Sequence, residues 1–148
     1  MTRAPSRFWT ILARDERGGT LVEFALVSPI MLTLLFGVIQ VGLHVQNANA
    51  VRNLAADGAR AAVVEYQRGN SLSANQIAAE IRARGVGPKY HLNLDRLDVV
   101  VTEEASRIGG VDEMSIAISY DMPNYLAFVD LSDLTIEYER PVFLLPPT

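Results

Sequence analysis

Few side chains in this sequence are placed to do chemistry, and the one that stands out is Glu23. It directly precedes FALVSPIMLTLLFGVIQVGL, the run from Phe24 to Leu43, which carries no formal charge over 20 residues. An ionised acid costs about 2.5–3.5 kcal/mol at the centre of a membrane span and less towards its edge. Two readings follow. Glu23 marks the interface and reaches out to water, or a positive group holds it. A free α-amino group, made by cutting the chain just upstream, is such a group, since it is cationic over much of the physiological range. The residues just upstream are Arg17-Gly18-Gly19-Thr20-Leu21-Val22.

The other reactive side chains form no recognisable frame. His44 falls where the apolar run ends, and His91 sits in the linker PKYHLNL; neither has metal-ligand spacing. Glu103-Glu104 and Asp112-Glu113 flank an expected hairpin and are the best candidates for a hard cation, but they lack the spacing of a calcium loop. There is no cysteine, so thiolate metal sites, thiol nucleophiles and disulfides are excluded. No nucleophile elbow occurs. The glycine pairs Gly18-Gly19 and Gly109-Gly110 do not open a phosphate loop. The residues therefore point away from an enzyme, a metal site and a cofactor.

The elements that position Glu23 begin with the span itself. Twenty residues at about 1.5 Å rise cover the roughly 30 Å hydrocarbon core of a bilayer. A secretory signal peptide is the competing reading, but the run exceeds the usual apolar core of about 7–15 residues and no small-x-small cleavage site closes it. The charge is unevenly distributed. Arg3, Arg7, Arg14 and Arg17 against Asp15 and Glu16 leave residues 1–18 at +2, while nine basic and fifteen acidic residues leave the rest at −6. That asymmetry places the N-terminus in the cytoplasm and the bulk outside. It also argues against nucleic-acid binding, which calls for a clustered basic face. Phe8, Trp9, Ile11 and Leu12 make a short apolar patch suited to the inner membrane surface. Within the span, Pro29 removes a backbone donor and predicts a kink or loosened turn near Ala25. Gly37 and Gly42 leave notches for a neighbouring helix, and Thr33 and Gln40 can hydrogen-bond within or between helices.

Beyond the span, Val51, Leu54, Ala55, Gly58, Ala59, Ala62, Val63 and Tyr66 recur at helical period from Asn47 to Arg68. No proline or paired glycine interrupts the chain there, so one rod from about Thr20 to Arg68 is expected, ended by Gly69-Asn70-Ser71. Ser73-Ala74-Asn75-Gln76 has capping-box spacing and opens a second, short helix that Gly85-Val86-Gly87-Pro88 closes. The pattern then alternates. Leu97, Val99 and Val101, then Met114, Ile116, Ile118 and Tyr120, then Leu134, Ile136 and Tyr138, each predict a strand with one buried face. Arg107 to Gly110 makes the first turn and Met122 to Ser132 a longer crossover. Pro141 to Thr148 is expected as an edge or a loose end. The fold class is α+β: a long membrane-spanning helix continuing into a head, a short second helix, and a three-stranded antiparallel sheet on the helix. The expected divisions are a basic cytoplasmic leader over 1–18, a transmembrane helix over 19–45 and an α+β head over 46–148.

The stretch Arg17-Gly18-Gly19-Thr20-Leu21-Val22-Glu23-Phe24-Ala25-Leu26-Val27, with Pro29 two residues on, resembles the R-G-x-x-x-V-E-F-A-L-V-x-P opening of TadE-like pseudopilins, minor subunits of the tight-adherence (Tad/Flp) type IVb pilus. Asn53 to Ala62 is similar to the family's A-x-x-G-A-R-x-A helix, which adds Gly58, Ala59 and Arg60 to Pro29, Gly37 and Gly42 as helix-packing positions. The resemblance covers residues 17 to about 66 well and the remainder only in layout. It implies cleavage by a membrane prepilin peptidase between Gly18 and Gly19, which makes Glu23 the fifth mature residue; a cut after Gly19 would make it the fourth. Glu23 would then accept the new amino terminus of a neighbouring subunit. The implied partners are other pilins and minor pilins, the prepilin peptidase, the inner-membrane assembly platform and the lipid bilayer. The implied location is the bacterial inner membrane, with the head periplasmic and the subunit able to enter a pilus. The alternative reading is a membrane-anchored periplasmic binding or adaptor module that never enters a filament.

Overall fold

The computed structural model describes residues 17–126 and 134–145. The leader patch around Trp9, the crossover beyond Leu126 and the Pro146-Pro147 tail lie outside those residues. The first element, α1 (Arg17–Gln67), is a single helix of 51 residues. Helical backbone continues unbroken through Ala25 and Pro29. The chain divides into a unit ending at Ile39 and a unit beginning at Gln40.

In the first unit the side chains of α1 are almost all exposed among the described residues. Leu21, Val22, Phe24, Leu26, Ile30 and Leu34 are all more than half exposed, and their positions fall on every side of the helix. The most apolar window of α1 has a mean hydropathy of 2.2, and none of it is buried. A helix apolar all round belongs in a protein core or a bilayer. This one is long and apolar enough to cross a membrane.

The second unit has its own core. Along α1, Val51, Leu54, Ala55, Ala59 and Ala62 are buried, reproducing the stripe read from the sequence. The helix ends in a Schellman arrangement. Gly69 takes φ +82°, its N–H donates to the Tyr66 carbonyl, and the Asn70 N–H donates to the Glu65 carbonyl. Helix α2 (Ala74–Gly85) follows, and the Gln76 side chain accepts the Ser73 backbone N–H at 2.9 Å, as a capping box requires. His91 has φ +54°, a left-handed turn that brings the chain round so that Leu92 enters the core. A single 3₁₀ turn (Leu94–Arg96) leads into the sheet.

The sheet has the order β1-β2-β3, with β1 (Leu97–Glu104), β2 (Asp112–Asp121) and β3 (Thr135–Leu144) all antiparallel. Val99 pairs with Ile118 and Val101 with Ile116, and all four side chains turn to the core. Pro141 neither frays nor ends the strand. It sits opposite Ser115, and Val142 and Leu144 beyond it are buried. Proline is tolerated there because β3 is an edge strand. Two contacts show that α1 runs along β2: the Asn47 amide reaches the Met122 sulfur at 3.0 Å, and the Tyr66 hydroxyl donates to Asp112 at 2.7 Å.

Gly58 sets how closely α2 approaches α1. A Cβ at Gly58 would stand 2.6 Å from both Cδ1 and Cγ1 of Ile81, which is 1% exposed. Overpacking of this kind typically costs about 1–3 kcal/mol, more than the roughly 1 kcal/mol of helix propensity that removing a glycine returns. Gly58→Val should therefore destabilise the head by about 2 kcal/mol in urea unfolding. Adding Ile81→Ala should restore part of that loss, and purely additive effects of the two changes would contradict a direct clash.

Candidate processing and assembly segment

Gly18 and Gly19 occupy the first turn of α1 and are exposed; a Cβ at either would meet nothing within 4 Å. The first four N–H groups of a helix have no intrahelical partner, and no acid lies in this first turn to offset the dipole. Each glycine weakens helix by about 1 kcal/mol relative to alanine. The Gly18–Gly19 bond thus lies in a turn of α1 that unwinds at low cost, with no described side chain within 4 Å of a Cβ at either glycine. Glu23 is also exposed, four residues beyond Gly19 and so on the same helix face.

Further along, a Cβ at Gly37 or Gly42 would meet nothing within 4 Å, so both notches are unfilled among the described residues. Pro29 is exposed, and the Thr33 hydroxyl donates to its carbonyl at 2.7 Å, a bond within the helix. Gln40 behaves differently. It is 6% exposed, its amide nitrogen donates to the Pro123 carbonyl at 3.0 Å, and its amide oxygen accepts the Tyr125 N–H at 3.1 Å. Its partner is a loop of the head, not another helix. A lone amide inside a charge-free run was the available signal; its distant partner had none.

The Asn53–Ala62 stretch sends its residues to different environments. Gly58 and Ala59 lie in the core, and Arg60 is exposed. Asp57 accepts from the Lys89 ammonium and, at 2.5 Å, from the Tyr90 hydroxyl. Hydrogen bonding to Lys89, then to Tyr90, holds its carboxyl below the ordinary aspartate range. This ties α1 to the linker after α2, a contact with no local sequence signal.

The acidic hairpin ends are engaged with protein groups. Glu113 is buried, takes the Arg107 backbone N–H at 2.9 Å and the guanidinium Nε at 2.8 Å, and lies beside an arginine stacked 5.7 Å from the Phe143 ring. Asp112 takes the Tyr66 hydroxyl, and Glu104 accepts from Thr102 at 3.2 Å. A groove of about 540 Å³ runs past Glu103, Glu104 and Asp112. Among the described residues no three histidine, aspartate or glutamate side chains converge as metal ligands, and neither His44 nor His91 joins such a group. The Arg107–Glu113 pairing closes the hairpin.

Glu113 makes that closure dependent on pH. Its side-chain bond to Arg107, then the backbone N–H of the same residue, hold its carboxyl below the ordinary glutamate range. A depressed folded-state pKa contributes stability that is fully present above the unfolded value of about 4.3 and is lost as pH falls through the folded value. Glu113→Gln should therefore lower the melting temperature at neutral pH. The gap from the parent protein should shrink as pH drops below about 4, as followed by melting curves across acid pH.

Residues 18–60 match the family model described as TadE-like protein. The match starts at the glycine pair, takes in Glu23 and the whole apolar run, and stops at Arg60, before α2 and the sheet. No curated protein and no solved structure matches the chain. The matched family is a structural component of pili and not a known enzyme family. Over residues 18–60 the chain is TadE-like, a likeness that points to the Tad pilus system.

Proposed function

We propose that this chain is a minor pilin, or pseudopilin, that helps to initiate or assemble a Tad surface pilus after a prepilin peptidase cuts between Gly18 and Gly19. The observation that carries this reading is the conjunction at the start of α1. An exposed glycine pair lies in a weak turn of a helix, an acid lies on the same face four residues on, and charge-free sequence follows. The family match begins at the first of those glycines. Cleavage leaves Gly19 as a new amino terminus, and Glu23 of a neighbouring subunit accepts it as both groups leave water. The leader 1–18 holds the N-terminus in the cytoplasm, residues 19–45 anchor the chain in the inner membrane, and the head 46–148 stands in the periplasm. The unfilled notches at Gly37 and Gly42 receive the helices of other pilins, and the assembly platform acts on the anchored form.

Intact mass of the protein co-expressed with a prepilin peptidase tests the cut. The chain should lose its first 18 residues, leaving an N-terminus that reads GTLVE, and Gly18→Ala should abolish that loss. Glu23→Gln should leave cleavage intact while the subunit disappears from sheared pili. A chain that keeps its leader beside an active peptidase, and stays in the membrane fraction, is instead an anchored periplasmic adaptor.

A further inference from the structure

The loop Met122–Leu126 meets α1 within the stretch that the sequence reads as membrane. Gln40 lies three residues before the end of the charge-free run, about 5 Å along the helix axis. On the open side of α1, Val38, Val41 and Val45 are 72%, 65% and 54% exposed. An apolar surface therefore continues past the level of Gln40, while the loop covers Gln40 itself.

The chemistry of that cover suits a place with little water. Gln40 satisfies the Pro123 carbonyl and the Tyr125 N–H, and they satisfy its amide. The Asn124 side chain accepts the Leu126 N–H at 2.8 Å. Irregular backbone at membrane depth needs cover for its polar groups, and Gln40 gives it to the Pro123 carbonyl and the Tyr125 N–H. The described part of the loop, Met-Pro-Asn-Tyr-Leu, carries no charge, with Asp121 before it and Asp130 and Asp133 further on in sequence; Met122 and Leu126 are buried, while Tyr125 is 51% exposed. Tyrosine, with an apolar ring and a polar tip, concentrates at the headgroup level of bilayers.

We propose that the Met122–Leu126 loop is a membrane-seating element. It lies in the interfacial zone of the leaflet next to the head, inserts the Tyr125 ring among lipid headgroups, and is held there by Gln40. The head thus rests on the lipid surface and does not stand off from it on a bare helix. This rests on the reading of the charge-free run as a membrane span, and the test separates the two.

The full-length chain carrying Trp9→Phe is reconstituted in phosphatidylcholine vesicles with a single new tryptophan, either Tyr125→Trp or Phe36→Trp. Fluorescence quenching is compared between lipids brominated near the headgroup and lipids brominated near the chain ends. Tyr125→Trp should be quenched at least about twofold more by the shallow bromines. Adding Gln40→Ala should reduce that quenching, because the loop loses its hold on α1. Quenching of Phe36→Trp with none of Tyr125→Trp overturns the seating and leaves the span standing. Blue-shifted but unquenched emission from Tyr125→Trp also overturns it, in favour of a protein neighbour. Absence of quenching at both positions overturns the span and the seating together.

Discussion

Everything in the head depends on how closely other elements can approach one stripe of α1. Ala55, Gly58, Ala59 and Ala62 present almost no side chain there, so Ile81 of α2 sits directly against the helix backbone at Gly58. The same economy recurs at Gly85, where an added Cβ would stand 2.6 Å from Leu97 and 2.9 Å from Leu54. Leu54, Ile81, Leu97, Ile116 and Ile118 then fill the space between as the largest fully buried side chains. A head of about a hundred residues has little core to spend. Small residues on the helix and branched ones on the sheet let that core close around Leu54 and Ile81.

One helix thus has two different surroundings. Up to Ile39 its apolar side chains point in every direction and are exposed among the described residues. Beyond Gln40 a stripe from Val51 to Ala62 is covered by the chain, while Val41 and Val45 stay exposed on the other side. Periodicity records this change, because an all-round pattern and a one-sided pattern look different when read at 3.6 residues per turn. Gln40 sits at the change, as the first residue of the second unit and the only buried polar side chain on the described part of α1.

Local pattern made most of the fold legible. The stripe from Val51 to Ala62, the Ser73–Gln76 cap, the Gly69 stop and the alternation in β1 and β2 all arise from interactions within a few residues. Pro141 was harder to read, because proline punctuates most strands; only the edge position of β3, a tertiary fact, lets the strand run on to Leu144. The side-chain ties were the least legible. Asp57 meets Tyr90 across 33 residues and Gln40 meets Tyr125 across 85, and no periodicity links such distant positions. Glu113 and Arg107 are only six residues apart, yet a charged pair at a turn reads as solvated until Phe143 is seen beside it. Of the candidate segment, the glycine pair and Glu23 stand out in the sequence because their pattern lies in order along the chain.

That order also bears on why Glu23 belongs at the start of the span and not further in. Near the edge an unpaired carboxylate costs less than the 2.5–3.5 kcal/mol of the bilayer centre, because it can still reach water. In the proposed uncut form the sequence still carries Arg14 and Arg17 upstream of the span. In the proposed filament, water is withdrawn as subunits pack, and the cost of an unpaired acid rises. Removing one partner of a buried charge pair leaves the other uncompensated, a loss of about 3–5 kcal/mol. An uncut subunit offers no α-amino group at Gly19, so it imposes that loss on the neighbour whose Glu23 should receive it. On the proposed reading, cleavage would be a condition of assembly, enforced by the cost of a buried, unpaired carboxylate.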